Sequence, residues 1–119
     1  MPKKVLIVED DPKNLKLAMM TLKSRGYDLV CAVDGEEAVS TAISEKPDII
    51  LMDMQLPKIS GIDAIKQIRE HTEIPILALT AYAMKGDEDK YIDAGCTAYM
   101  SKPINTRELP LKVAELLGE

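Results

Sequence analysis

The sequence alternates five times between a short apolar run and an amphipathic segment. Apolar runs without period-two alternation are typical of strands buried on both faces, and the amphipathic segments between them are typical of helices. The alternation therefore predicts an α/β fold with a five-stranded parallel sheet, in which right-handed crossovers place helices on both faces. The predicted strands are residues 5–8, 29–33, 49–52, 76–79 and 98–100.

Capping residues mark where the helices are expected to begin. An acidic or hydroxyl side chain before a helix accepts a hydrogen bond from a free first-turn amide, and a glycine after the helix ends it. The predicted caps are Asp11 followed by Pro12, Asp34 with Glu37, and Ser60 with Asp63, while Gly26 and Gly95 are predicted stops.

The remaining helix predictions concern buried faces and the last two helices. The second helix is expected to bury four apolar residues, among them Ala42 and Ile43. The fourth is expected over residues 85–94 and the fifth over residues 106–117, with Thr106 as its cap. Pro110 then falls at the end of the first turn, where it costs at most one backbone hydrogen bond.

Composition limits the classes of protein to be considered. The 119 residues, of which 46% are hydrophobic and 29% charged, are expected to form one domain, residues 1–119. A net charge of −5 without a basic block argues against nucleic-acid binding. The sequence has no long apolar stretch and no signal-peptide pattern, which predicts a cytoplasmic protein that does not enter a membrane. Cys31 and Cys96 lack metal-type spacing and are given no role.

Polar residues stand at the ends of four predicted strands. Glu9 and Asp10 follow the first strand, Asp53 the third and Thr80 the fourth, and Lys102 comes shortly after the fifth. Because parallel strands end at the same edge of a sheet, where ligands bind in open α/β folds, these side chains are expected to lie together. Each alone has an ordinary interpretation as a cap, a turn residue, a β-former or a surface lysine. Their joint occurrence in this order predicts a functional site.

Clustered carboxylates repel one another unless a cation neutralises them. Mg²⁺ suits such a cluster because it binds a few carboxylates and keeps several waters. Asp53 as a nucleophile would form an aspartyl phosphate. Phosphoryl transfer needs positioning and charge neutralisation, which Mg²⁺, Lys102 and Thr80 can supply.

With these residues in place, the chain resembles the receiver domain of two-component response regulators from residue 4 to about residue 117. Such domains have a flavodoxin-like, doubly wound sheet with strand order 2-1-3-4-5 and five helices. The tract LTAYAMKGDEDKY is especially similar to single-domain regulators of the cell-division type. The matching motifs are VLIVEDD (5–11), PDIILMDMQLPKISG (47–61), ILALTAYA (76–83) and AYMSKPI (98–104).

The resemblance implies a role for each site residue. It makes Asp53 the phosphoacceptor and gives the protein chemistry on its own side chain only, so that it is not an enzyme in the usual sense. The Lys102-Pro103 bond is expected to be cis. Mg²⁺ would be held by Asp10, Asp53 and the Gln55 carbonyl, with Glu9 contributing through water. The phosphoryl group would contact Lys102, Thr80 and the Ala81 amide. Tyr99 would turn inward when Thr80 moves.

The resemblance also implies partners. A histidine kinase or histidine-phosphotransfer protein would donate the phosphoryl group, and a downstream protein would bind the surface of the fourth helix, fifth strand and fifth helix. Met84, Lys85, Tyr91 and Tyr99 are expected near that surface, although packing explains Met84 and Tyr91 equally well. A monomer is expected, with a phosphorylation-linked dimer as the alternative. The start at Met1 favours a stand-alone protein over an excised receiver.

Other functions fit the residues less well. A haloacid-dehalogenase-type phosphotransferase needs a second aspartate where this chain has Gln55, and a flavodoxin-like cofactor binder needs a phosphate-accepting loop where residues 9–11 are acidic. A histidine-phosphotransfer protein would depend on His71, which is better explained as a solvated residue. The remaining alternative is a pseudo-receiver that binds partners without phosphorylation, and the complete set of acids with Thr80 and Lys102 argues against it.

Overall fold

The computed structural model describes residues 2–56, 59–81 and 87–119, and gives the backbone alone for residues 87 and 88. Within these described residues, ten elements alternate strictly between strand and helix. The strands are β1 (Lys4–Val8), β2 (Asp28–Ala32), β3 (Ile49–Asp53), β4 (Ile76–Thr80) and β5 (Ala98–Ser101). The helices are α1 (Pro12–Lys23), α2 (Gly35–Glu45), α3 (Gly61–Arg69), α4 (Asp87–Ala94) and α5 (Glu108–Leu117).

All five strands are parallel and lie in the order β2-β1-β3-β4-β5, which confirms the predicted fold class. Every residue of β3 and β4 is buried. This two-sided burial explains why the apolar runs show no alternation. Each predicted strand overlaps the observed one, and their ends differ by no more than one residue.

Two apolar cores lie on opposite faces of the sheet. Alternate residues of the central strands, such as Leu6 and Val8, face a core with α2, α3 and α4. Their neighbours Val5 and Ile7 face a second core with α1 and α5. Because helices cover both faces, the predicted site residues lie at the carboxyl edge of the sheet, at or just beyond the ends of β1, β3 and β4.

The predicted N-caps of the first three helices are confirmed. Asp11 accepts a hydrogen bond from the Lys13 amide, Asp34 from the Glu37 amide and Ser60 from the Asp63 amide. Each satisfies an amide that has no partner within its helix.

Two helix predictions need correction. Thr106 does not cap α5, which begins at Glu108. The Oδ1 of Asn105 instead accepts hydrogen bonds from the amides of Arg107 and Glu108 in the turn before the helix. Pro110 is the third residue of α5 and so lies in the first turn, as predicted. Ile43 is 43% exposed, because the buried face of α2 follows Ala38 and Ala42.

α4 begins at Asp87, so the predicted start at Lys85 lies outside the described residues. Gly95 follows the helix with a φ of 119°, as expected of a glycine that ends a helix. Among the described helices, none is both long and apolar enough to span a bilayer.

Candidate functional site

Three carboxylates meet at the carboxyl edge of the sheet. Asp53 is the last residue of β3, and Glu9 and Asp10 directly follow β1. One oxygen from each carboxylate lies within 4.8 Å of the others. Glu9 and Asp53 are buried, whereas Asp10 is exposed at the rim of the site. The predicted acidic cluster is therefore present, and an all-oxygen set with one open side suits a hard divalent cation.

Asp53 is held in place by two donors. Its Oδ1 accepts a hydrogen bond of 3.0 Å from the backbone amide of Gln55, and the Lys102 ammonium lies 3.1 Å from the same oxygen. The Asp53 side chain is only 2% exposed. A buried carboxylate of this kind needs such partners to offset the loss of hydration.

Lys102 connects Asp53 with Glu9. Its Nζ lies 2.9 Å from Glu9 Oε1, and the backbone amide of Lys102 donates to the Thr80 carbonyl, which anchors the segment after β5. Burial by itself would lower the pKa of Lys102, but hydrogen bonds to Glu9 and Asp53 outweigh burial and raise it. Lys102 is therefore a protonated cation within the acidic cluster at neutral pH. The predicted cis bond between Lys102 and Pro103 is present.

Glu9 has a raised pKa. Burial and then a hydrogen bond with Asp53 raise the pKa of Glu9 from 4.5 to about 7, against the opposing effect of Lys102. The Asp11 amide donates to Glu9 Oε2 at 3.3 Å. Near neutral pH, the cluster therefore gains negative charge when Glu9 ionises, and a bound cation would favour that ionised form.

The Gln55 side chain bridges the two groups predicted to meet phosphoryl oxygens. Its Nε2 donates to Thr80 Oγ1 at 3.3 Å, and its Oε1 accepts from the Ala81 amide at 3.2 Å. The sequence did not predict these side-chain contacts of Gln55. The side-chain amide of Gln55 thus donates to Thr80 and accepts from the Ala81 amide.

Thr80 also contacts a helix. The Thr80 hydroxyl lies 3.0 Å from the hydroxyl of Tyr91 on α4, and both residues are buried. Of the two explanations that the sequence left open for Tyr91, packing is confirmed, because Tyr91 belongs to the core between the sheet and α2, α3 and α4. Tyr99 lies on β5 opposite Ala78 and is half-buried against the same core. The predicted surface residues Met84 and Lys85 lie outside the described residues.

A glycine lets the loop after β3 pack closely against the site. A Cβ on Gly61 would lie 2.8 Å from Met54 Cα and 3.1 Å from the Asp53 carbonyl oxygen. These distances are too short for a real side chain to fit without moving the backbone. Gly61 therefore allows the first turn of α3 to lie beside Asp53.

The fold is thus a doubly wound parallel sheet with an acidic cluster at its carboxyl edge. Residues 5–114 match the family of response regulator receiver domains, and the chain belongs to this family. The resemblance based on the sequence motifs is thereby confirmed.

Individual relatives agree with this assignment. The chain is 42% identical to the polar-differentiation response regulator DivK of Brucella anthropi, over all of this chain and 99% of that protein. It is 35% identical to the receiver domain of sensor histidine kinase PA1611 from Pseudomonas aeruginosa PAO1, with full coverage of both chains and a TM-score of 0.91. That crystal structure has a magnesium ion coordinated in its active site cleft. A CheY-like receiver domain from Methanospirillum hungatei has a TM-score of 0.92 at 28% identity, covering 99% of this chain and 95% of that one.

Proposed function

We propose that this receiver domain is a phosphoacceptor in two-component signalling and that Asp53 takes the phosphoryl group. The observation that supports this most strongly is the placement of the Asp53 carboxylate. It is buried at a strand end, bonded to Lys102 and the Gln55 amide, and flanked by Glu9 and Asp10. A carboxylate held by these two donors is fixed in position for attack on phosphorus.

The donor would be a phosphohistidine on a histidine kinase or a histidine-phosphotransfer protein. A carboxylate oxygen of Asp53 attacks phosphorus, a P–O bond forms and the P–N bond to the imidazole breaks. The imidazole leaves with the bonding electron pair and takes a proton from water. The product is an acyl phosphate on Asp53, so the reaction changes the protein itself, and hydrolysis of the acyl phosphate restores it.

We propose Glu9, Asp10, Asp53 and the Gln55 carbonyl as the residues that hold Mg²⁺. When bound, Mg²⁺ would neutralise charge on the phosphoryl oxygens. Lys102 is already 3.1 Å from Asp53 Oδ1, so its ammonium would supply a second positive charge beside the phosphoryl group. Thr80 and the Ala81 amide would each donate a hydrogen bond to a phosphoryl oxygen and would give up their present contacts with the Gln55 side chain.

The proposed output is a change in protein binding. Thr80 would move toward the phosphoryl group, and Tyr99 would respond by turning inward, which changes the surface formed by α4, β5 and α5. A downstream protein would read that surface. We further propose that the whole chain acts as one receiver domain, since all ten elements contribute to a single sheet and its two cores.

The test is phosphorylation by a small donor. The protein is incubated with acetyl phosphate and Mg²⁺, and its intact mass is measured. We expect one added phosphoryl group that is stable to acid and labile to alkali, and that fails to form in Asp53→Asn or in the presence of a chelator. Asp93→Asn, which alters an exposed aspartate of α4, should label like the wild type.

Two results would overturn the proposal. One is the absence of an adduct under conditions that label an ordinary receiver, which would favour a pseudo-receiver. The other is an undiminished adduct in Asp53→Asn, which would move the phosphoacceptor elsewhere.

A further inference from the structure

The hydrogen bond between Thr80 and Tyr91 joins the phosphorylation site directly to α4. Thr80 is fully buried at the end of β4, and Tyr91 is 7% exposed in the middle of α4. Their hydroxyl oxygens are 3.0 Å apart, which is a normal hydrogen-bond length between hydroxyl groups. The roles proposed above for Thr80 and Tyr99 do not involve this contact.

Burial makes this bond sensitive to any movement of Thr80. A buried hydroxyl that loses its partner is left without the water that would replace it, so the bond stabilises the arrangement in which it forms. The ring of Tyr91 is buried in the core that also contains Ala78 and Ala94, and close packing there limits how far its hydroxyl can follow. Thr80 can therefore move toward Asp53 only by giving up or weakening its bond to α4.

We propose that Tyr91 is a positioning residue that holds Thr80 in its unphosphorylated arrangement, and that phosphorylation exchanges the Tyr91 hydroxyl for a phosphoryl oxygen. The exchange frees the middle of α4 from the end of β4. Phosphorylation would thus change the contact between α4 and β4 directly, in addition to any effect through β5. This inference rests on the proposed phosphoacceptor function.

The test uses Tyr91→Phe, which removes the hydroxyl and keeps the ring in the core. Beryllium fluoride with Mg²⁺ serves as the probe, because it binds a carboxylate as an analogue of a phosphoryl group, and its Kd is measured on the full chain by calorimetry. Loss of a bond made only in the unphosphorylated arrangement should lower the Kd by about two- to tenfold. The α4 amide signals of residues 89–94 in free Tyr91→Phe should also shift toward their positions in the wild-type complex.

Tyr27→Phe is the matched control. It removes a tyrosine hydroxyl that is hydrogen-bonded to Glu119 at 2.7 Å, on α1's side of the sheet and away from Thr80, and should leave the Kd unchanged. In a double-mutant cycle, the effect of Tyr91→Phe should disappear when Thr80 is replaced by alanine.

The outcomes separate this inference from the function on which it rests. A wild-type protein that neither binds beryllium fluoride nor accepts a phosphoryl group overturns both. If the wild type responds and Tyr91→Phe binds with the same or a higher Kd, the positioning role is wrong and phosphorylation stands. Equal thermal destabilisation of the free and bound forms, with no change in Kd, identifies the bond as structural in both states.

Discussion

At the scale of single residues, the site is defined by how one cation is shared among carboxylates. Lys102 contacts both Glu9 and Asp53, while Asp10 remains exposed. The acids thus outnumber the ammonium, and burial adds to the cost of ionising all of them. Protonation of Glu9 is the way in which the metal-free protein relieves this repulsion.

A pH-dependent stability follows for the metal-free protein. Because the pKa of Glu9 is raised from 4.5 to about 7, the folded state holds a proton that the unfolded state has lost between these values. The free energy of unfolding must then fall as pH rises through this window. Relative to Glu9→Gln, which cannot ionise at this position, the free energy of unfolding of the wild type should fall by about 1–3 kcal/mol between about pH 5 and about pH 8.

Urea denaturation of both proteins with a chelator present measures this difference at each pH. Glu45→Gln is the matched control, because Glu45 is partly exposed and pairs with Lys4 far from the cluster. A difference between wild type and Glu9→Gln that stays constant across the range would show that Glu9 ionises normally.

The sequence predicted which residues lie together at the strand ends, but it did not predict the contacts between their side chains. Asp53 and Thr80 end the buried strands β3 and β4, Lys102 follows β5, and parallel strands end together. The bonds from Thr80 to Gln55 and Tyr91 depend on rotamers and on how closely α4 packs against β4. No spacing in the sequence encodes these contacts, which is why Tyr91 was equally well explained by packing alone.

At the scale of elements, hydrogen bonds from Arg69 connect the end of α3 to the segments that precede β4 and β5. Its side chain donates to the carbonyls of Ile74 at 2.6 Å and Gly95 at 2.8 Å, and to the Thr97 hydroxyl at 3.4 Å. Burial lowers the pKa of Arg69. One guanidinium therefore satisfies backbone groups that no strand or helix hydrogen bond reaches.

Arg69→Met should destabilise the fold by about 2–3 kcal/mol, because it leaves partly buried carbonyls without a donor while keeping most of the aliphatic stem. Lys66→Met, one turn earlier on the exposed side of α3, should change stability by less than about 0.5 kcal/mol. Chemical denaturation compares the two. Similar losses in both variants would mean that Arg69 contributes through its charge or its apolar stem alone.

Elements were predicted well where one local signal decides the boundary. Strand ends agree within one residue because buried runs stop at polar residues. The start of α5 was wrong because Asn105, rather than Thr106, accepts hydrogen bonds from two amides in the turn before the helix. Ile43 was placed on the wrong side of α2 because the buried face is lined by small alanines, which give a weak pattern.

At the scale of the whole molecule, two cores enclose the sheet and leave its carboxyl edge for chemistry. The alternation of strands and helices predicted the parallel sheet, whereas the strand order came from the family resemblance. Alternation alone does not decide on which side of β1 each later strand is added. The order matters because it places β1, β3 and β4 side by side, which brings Glu9, Asp53 and Thr80 together.

Mg²⁺ should stabilise the whole fold through this edge. A ligand that binds only the folded state at about ten times its Kd raises the free energy of unfolding by about 1.4 kcal/mol. Asp10→Asn should lose most of this gain without affecting the metal-free fold, because Asp10 is exposed. Asp28→Asn, an exposed aspartate at the opposite end of the strands, should keep it. Thermal unfolding with and without Mg²⁺ compares the three proteins, and equal stabilisation of all of them would argue against a metal site at Asp10.

The proposed phosphoacceptor function depends most directly on which side chain forms the acyl phosphate. Borohydride reduces an aspartyl phosphate to homoserine, so the protein can be treated with acetyl phosphate and Mg²⁺, reduced, digested and sequenced by tandem mass spectrometry. We predict homoserine at position 53 and unmodified side chains at Glu9 and Asp10. A modified residue at either of those positions, or an unmodified Asp53 in protein that has gained a phosphoryl group, would contradict the assignment of Asp53 as the phosphoacceptor.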